Sequence, residues 1–146
     1  MAESARELTD AIAHLPPGNG LDLACGGARH SVWLAQRGWR VTAVDLQIEA
    51  NFPGGPAIRT IEANLEKDEF IIEPCAWDLI VCWLYWQPDL LPAIALGVRP
   101  GGVVALAGKT SGRFATSLAQ YRAAFAGFTE LSSGENEMRA FFIGRR

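Results

Sequence analysis

Apolar positions along the chain fall into short blocks that alternate between a helical and an extended period. Over residues 4–15, Leu8, Ile12 and Leu15 recur at spacings of four and three, which is one face of a short helix, and Pro16-Pro17-Gly18-Asn19-Gly20 stops it. Residues 21–25 then read as a brief buried strand. Gly26-Gly27 lead into a helix that carries Val32, Trp33 and Leu34 and closes at Gly38, and residues 39–45 give a second strand. Strand, turn, helix and strand within 25 residues predict a right-handed βαβ unit in a parallel sheet.

Residues 46–51 leave room for barely two helical turns before Phe52-Pro53-Gly54-Gly55-Pro56, so this crossover is expected to be abbreviated. A third strand is predicted over 57–62, a fourth over 77–83, a helix over 90–96, and a fifth strand over 103–107 after the turn Pro100-Gly101-Gly102. A helix near 114–125 leads to two last strands, about 129–132 and 138–143, joined by the polar turn 133–136 and hence antiparallel. The fold expected is α/β, a Rossmann-like doubly wound sandwich around a mostly parallel seven-stranded sheet with an antiparallel C-terminal strand.

Composition narrows the function classes. With 146 residues, 49% of them hydrophobic, and a net charge of −3, the chain is expected to form one domain around its own core. The slight acidity supplies no broad basic surface for duplex nucleic acid or anionic lipid, which leaves small-molecule chemistry as the leading class. Cys25, Cys75 and Cys82 have neither the number for a disulfide framework nor the spacing for a zinc site, so no metal is expected. Residues 1–7 lack the apolar run of a secretory leader, and no apolar stretch approaches the roughly 20 residues that span a bilayer; a soluble, cytoplasmic protein without membrane contact is expected.

Ligands of open parallel sheets bind beyond the C-terminal strand ends, where strand order reverses. There the first strand ends in Ala24-Cys25-Gly26-Gly27-Ala28, whose small side chains let a ligand approach the backbone. Asp45 closes the second strand nineteen residues after Gly26, where a carboxylate can accept hydrogen bonds from both hydroxyls of a ribose.

In these residues the chain resembles the class I S-adenosylmethionine-dependent methyltransferases, and among them the small bacterial tellurite-resistance-like group. The stretch 21–45 is similar to that family's first motif and acidic second strand. Asn64-Leu65-Glu66, Trp77-Asp78-Leu79-Ile80-Val81 and Arg99-Pro100-Gly101-Gly102-Val103 extend the likeness over most of residues 20–108. The resemblance implies a single minimal methyltransferase domain over 1–146 with S-adenosylmethionine as cofactor. It places the backbone of Ala24, Cys25 and Gly26 under the methionine part, Arg29 or His30 near the carboxylate, and Asp45 on the ribose. Leu46 and Leu65 would sandwich adenine, Asn64 would face its amino group, Asp22 would orient the loop, and Cys82 would face the same site from the fourth strand. The chain departs from the family where glycines are replaced by Ala24 and Ala28 and the aspartate after the third strand by Asn64. An alanine fits if φ stays negative and the asparagine carbonyl can still accept the adenine N–H, so weakened rather than lost binding is expected.

A nicotinamide-binding domain shares the glycine turn and the acid but needs a third glycine where this chain has Gly26-Gly27-Ala28-Arg29-His30-Ser31. The aromatic cluster Trp83, Tyr85 and Trp86 with Gln87 is expected to border the reactive methyl, Tyr85 and Gln87 positioning the acceptor. Lys109, Thr110, Ser111 and Arg113 follow the fifth strand as a solvated loop and cap or as contacts to an anionic acceptor. His14 is expected to serve the first helix's C-terminus, and Cys25 and Cys82 to be structural rather than nucleophilic. The function expected is methyl transfer by in-line displacement to a small-molecule acceptor, the alternative being a cofactor-binding module without catalysis of its own. Few residues remain for a lid, so an open pocket is expected, covered by a homodimer partner or a large acceptor if at all.

Overall fold

The computed structural model of the chain describes residues 5–146. Ser4 of the expected first helix and the start of the segment read for a leader lie outside the described residues. Seven strands, β1 (Asn19–Leu23), β2 (Arg40–Asp45), β3 (Ile58–Glu62), β4 (Trp77–Trp83), β5 (Val98–Lys109), β6 (Thr129–Glu135) and β7 (Arg139–Arg145), form one sheet in the order β3-β2-β1-β4-β5-β7-β6. The pairs from β3 to β5 are parallel, and β7 inserts antiparallel between β5 and β6. Strand order reverses between β1 and β4, and the expected Rossmann-like architecture is the one found.

Helices cover both faces. α1 (Arg6–Ile12) and α2 (Arg29–Ala35) press Leu8, Ile12 and Leu34 against Val41, Leu79, Val81 and Ala105 on one side of the sheet. α3 (Leu91–Gly97) and α4 (Leu118–Ala124) bury Ile94 and Tyr121 against Leu21, Ile80, Val104 and Leu106 on the other. Alternate residues of β4 and β5 therefore serve opposite layers, which is why these central strands read as unbroken apolar runs. Each fully buried leucine or isoleucine contributes about 1.5–3 kcal/mol relative to exposure.

Several boundaries differ from the sequence expectations. The crossover over residues 46–51 is, by contrast, as abbreviated as expected: a turn in which Phe52 N–H donates to the Glu49 carbonyl precedes Pro53, and no helix forms, two turns being too few to offset helix nucleation without packing. The β3–β4 crossover likewise holds only the 3-10 turn Leu65–Lys67. The helix expected from 114 starts at Leu118, because Ser117 accepts from Gln120 N–H as its N-cap. β5 begins at Val98 and carries the expected turn 100–102 inside it, with Gly101 at φ 85° and its N–H on the Arg146 carbonyl. The final hairpin turns at 136–138 rather than 133–136, since Asn136 Oδ1 accepts from both Met138 and Arg139 N–H.

Candidate functional site

β1 ends at Leu23, and the chain turns sharply through residues 24–28 into α2. Ala24 (φ 53°), Gly26 (φ 53°) and Ala28 (φ 74°) all lie in the left-handed region, so the two alanines occupy the conformation that glycine accepts freely. The condition of negative φ, under which an alanine fits here without strain, is not met at either position. Cys25 N–H donates to the Val44 carbonyl and Gly26 N–H to Asp45 Oδ2 at 2.8 Å, tying the turn to the end of β2. Asp45 Oδ1 accepts from Gln47 N–H. Each carboxylate oxygen has a second lone pair, so Asp45 keeps acceptor capacity for a ligand.

Beyond these strand ends lies a cavity of about 380 Å³ whose wall brings together Ala24, Asp45, Leu46, Asn64, Leu65 and Tyr85. Ala63, Glu66 and Leu84 complete the lining. Of the two leucines in this wall, Leu46 is exposed and Leu65 buried. Gly26 borders a neighbouring open space of about 600 Å³ that shares Asp45 with the first. Asn64 Oδ1 accepts from Glu66 N–H and caps the 3-10 turn, which leaves its NH₂ and the oxygen's second lone pair for a ligand.

Other candidates stand behind the cavity or away from it. Asp22 is buried on β1 and accepts from the Ser31 hydroxyl at 2.7 Å, linking β1 to α2. Burial pushes its carboxyl up to about 7, against the opposing pull of the Ser31 hydrogen bonds. His30 turns toward α1: its Nε2 accepts from Ala5 N–H and its ring meets Trp83 edge-on at 5.9 Å. Burial, with Arg29 adding to it, lowers the imidazole to about 4. Arg29 opens α2, half-buried, and its charge reaches both Asp22 and His30.

Cys82 lies buried under the aromatic loop, 3.9 Å from the Tyr85 carbonyl, and Cys25 is buried at the turn. Burial first, then the Asp22 charge, raises both thiols to about 12, so neither is a thiolate at neutral pH.

The aromatic cluster divides. Trp83 is buried in the α1 and α2 layer against Phe141, away from the cavity, whereas Tyr85 lines it and Trp86 stands edge-on to Tyr121 at 5.4 Å. Tyr85 donates its hydroxyl to Gln87 Oε1 at 2.6 Å, and Gln87 Nε2 donates to the Leu65 carbonyl at 3.2 Å. Gln87 thus spans from the phenol to the cavity floor and fixes Tyr85. Burial, then the charge of Glu66, holds the Tyr85 phenol above its ordinary range.

Sequence reasoning gave no role to Leu84 and Glu66. Leu84 sits at φ 60° with its N–H on the Ala107 carbonyl, a strained residue at the mouth of the site. Glu66 carried one signal, its place directly after Asn64-Leu65.

Comparison with known proteins finds relatives in sequence and in fold. The Ubiquinone biosynthesis O-methyltransferase of Burkholderia thailandensis is 32% identical over 108 residues, covering 65% of this chain, and the chain spans 46% of that relative's length. Among solved structures, TehB from Haemophilus influenzae superposes with a TM-score of 0.81 at 17% identity, covering 98% of this chain and 62% of that one. The Burkholderia thailandensis 1,6-didemethyltoxoflavin-N1-methyltransferase, solved with its substrate and S-adenosylhomocysteine, gives a TM-score of 0.74 at 21% identity, covering 96% and 76%. Residues 1–75, which contain β1, the glycine turn, Asp45 and the Asn64-Leu65 wall, match the model of the Tellurite resistance protein TehB, and the chain belongs to that family.

Proposed function

We propose that the chain is an S-adenosylmethionine-dependent methyltransferase acting on a small molecule. The observation that carries this reading is the placement of Asp45, Leu46, Asn64 and Leu65 around one cavity at the reversal of strand order, with Asp45 bonded to the glycine turn. The relative and the neighbour described above are methyltransferases by name, and the neighbour holds the demethylated cofactor.

The residues fit the group. A cavity of about 380 Å³ is within the range of ligand sites, ~300–1,000 Å³. Asp45 has acceptor sites left for a ribose diol, Leu46 and Leu65 offer apolar faces for adenine, and the NH₂ of Asn64 suits a ring nitrogen. When bound, S-adenosylmethionine supplies an electrophilic methyl on a sulfonium. The chain's part is alignment: the 24–28 turn and Asp45 fix one end, and the Tyr85–Gln87–Leu65 hydrogen bonds fix the wall beside the reacting centre. Orientation of this kind is worth roughly 7–11 kcal/mol in well-organised sites. Both buried thiols are neutral at pH 7, so the chemistry runs on the acceptor's own nucleophile.

No helix among the described residues is long and apolar enough to cross a membrane, and Cys25, Cys75 and Cys82 are free thiols, which supports a cytoplasmic setting. Calorimetric titration with S-adenosylhomocysteine tests the reading. One-to-one binding that Asp45→Ala weakens at least tenfold is expected; no binding by the wild-type chain would sink it.

A further inference from the structure

A second cavity of about 190 Å³ adjoins the first and shares Glu66, Leu84 and Tyr85 with it. Its remaining lining is Trp86, Lys109 and Phe114. The shared residues mark the inner end, where the two spaces meet, and Lys109 and Phe114 mark the outer end. Three rings and a leucine make most of this lining apolar, and its charged residues are Glu66, which the first cavity shares, and Lys109, which it does not. Arg113 adds a second cation on the same rim, its guanidinium 5.3 Å from the Phe114 ring centre.

Size limits the occupant. A cavity of about 150 Å³ holds benzene, so about 190 Å³ has room for one six-membered ring with small substituents. Charge sets its polarity: an anionic substituent at the Lys109 end, and a neutral proton-bearing nucleophile at the Glu66 end. A bare inorganic oxyanion would make no use of the apolar lining that Leu84, Tyr85, Trp86 and Phe114 provide.

We propose, on the methyltransferase reading above, that this cavity takes a single-ring phenolic acid, with Lys109 holding its carboxylate and Glu66 facing its hydroxyl. In the transfer a lone pair of the phenolic oxygen forms the new O–C bond. The S–C bond breaks with its electron pair left on sulfur as a neutral thioether, and the phenolic proton passes to Glu66. Cys25 and Cys82 are too weakly acidic, and His30 too far inside the α1 layer, to serve in place of Glu66. Lys109 uses its backbone carbonyl, not its side chain, to accept from Thr116 N–H, so its ammonium can be altered without disturbing the loop.

The test uses the full chain with S-adenosylhomocysteine bound first, then 3,4-dihydroxybenzoate, its methyl ester and selenite as probes, followed by turnover with S-adenosylmethionine. The acid is expected to bind the binary complex, Lys109→Gln to weaken it at least tenfold while leaving the ester unchanged, and Lys109→Arg to restore most of the loss. Glu66→Gln is expected to lower kcat at least tenfold with the affinity for the acid changed less than threefold. If S-adenosylhomocysteine binds but the acid does not, or Lys109→Gln treats acid and ester alike, or selenite alone is methylated, this proposal falls and the methyltransferase reading stands. If S-adenosylhomocysteine itself fails to bind, both fall.

Discussion

The Gly26 backbone N–H donates to Asp45 Oδ2 at 2.8 Å across nineteen residues of chain, so one carboxylate both closes the glycine turn and forms part of the cavity wall. Asp45→Asn separates these tasks. An amide oxygen in the same place still accepts from Gly26 N–H, while the exposed Gln47 N–H bond to Oδ1 is lost and the charge that would strengthen bonds from a ribose diol is gone. The expected outcome is a melting temperature within a few degrees of wild type and an affinity for S-adenosylhomocysteine about tenfold lower, about 1.4 kcal/mol. A loss of stability without a loss of affinity would assign Asp45 to the turn alone.

Asn64 Oδ1 accepts from Glu66 N–H, which leaves the NH₂ and one oxygen lone pair for a ligand. In Asn64→Asp one oxygen caps the turn as before and the other accepts from the adenine amino group. Affinity for S-adenosylhomocysteine is expected to rise severalfold, about 1 kcal/mol for one regained hydrogen bond. Calorimetry with inosine and adenosine as competitors checks the cause, because only adenosine carries that amino group.

Ala24 and Ala28 both hold positive φ, which costs a non-glycine residue roughly 1–2 kcal/mol, while a glycine costs about 0.4–1 kcal/mol in added freedom of the unfolded chain. Ala24→Gly is therefore expected to stabilise the fold by about 0.5–1 kcal/mol. Ala28 is fully buried, and losing its methyl forfeits about 0.8 kcal/mol of packing, so Ala28→Gly is expected to be close to neutral. Thermal melts of the two single variants show the difference in sign and size.

Asp22 and His30 pull stability in opposite directions with pH. Burial raises Asp22 to about 7, so the folded chain binds its proton more tightly than the unfolded one, and this contribution is present at low pH and lost as pH rises toward 7. Burial lowers His30 to about 4 from an ordinary 6.5, so its contribution is lost as pH falls from about 6.5 to 4. The two slopes, about 1.4 kcal/mol per pH unit each, cancel across that window. Asp22→Asn is expected to leave a stability that climbs from pH 4 to 6.5, and His30→Gln one that declines from pH 4 to 7. Urea unfolding at half-unit pH steps measures both, and parallel profiles for the two variants would refute the assignment.

How far these features could be read in advance depends on the scale that decides them. The Gly26 to Asp45 spacing was legible because one βαβ repeat fixes how many residues separate adjacent strand tips. The burial of His30 also had a signal: it stands four residues before Leu34, on the same face of α2, and that face packs on α1. Strand alternation likewise sends Trp83 with Leu79 and Val81 to one layer and Cys82 with Ile80 to the other. Leu84 carried no such signal, because its positive φ follows from a bond to Ala107 on a strand more than twenty residues away. The abbreviated crossover at 46–51 was legible from its length alone, which is too short for a helix without a packing partner.

Gln87 lines neither cavity, yet it joins the Tyr85 hydroxyl to the Leu65 carbonyl and so sets the wall between them. Removing it leaves Tyr85 with an unpaired hydroxyl in a half-buried place and lets the ring turn. A residue that acts through Tyr85 should disturb the reacting geometry more than the cofactor's grip, since Asp45 and the 24–28 turn are untouched. Gln87→Ala is expected to lower kcat tenfold or more with the S-adenosylhomocysteine affinity changed less than threefold. Gln87→Glu keeps an oxygen for the Tyr85 hydroxyl to donate to and should recover part of the rate at neutral pH. The Tyr85→Phe variant separates the hydrogen bond from the ring: if it matches Gln87→Ala in kcat, the bond is what holds the wall. If it matches wild type while Gln87→Ala does not, Gln87 acts through the Leu65 carbonyl instead.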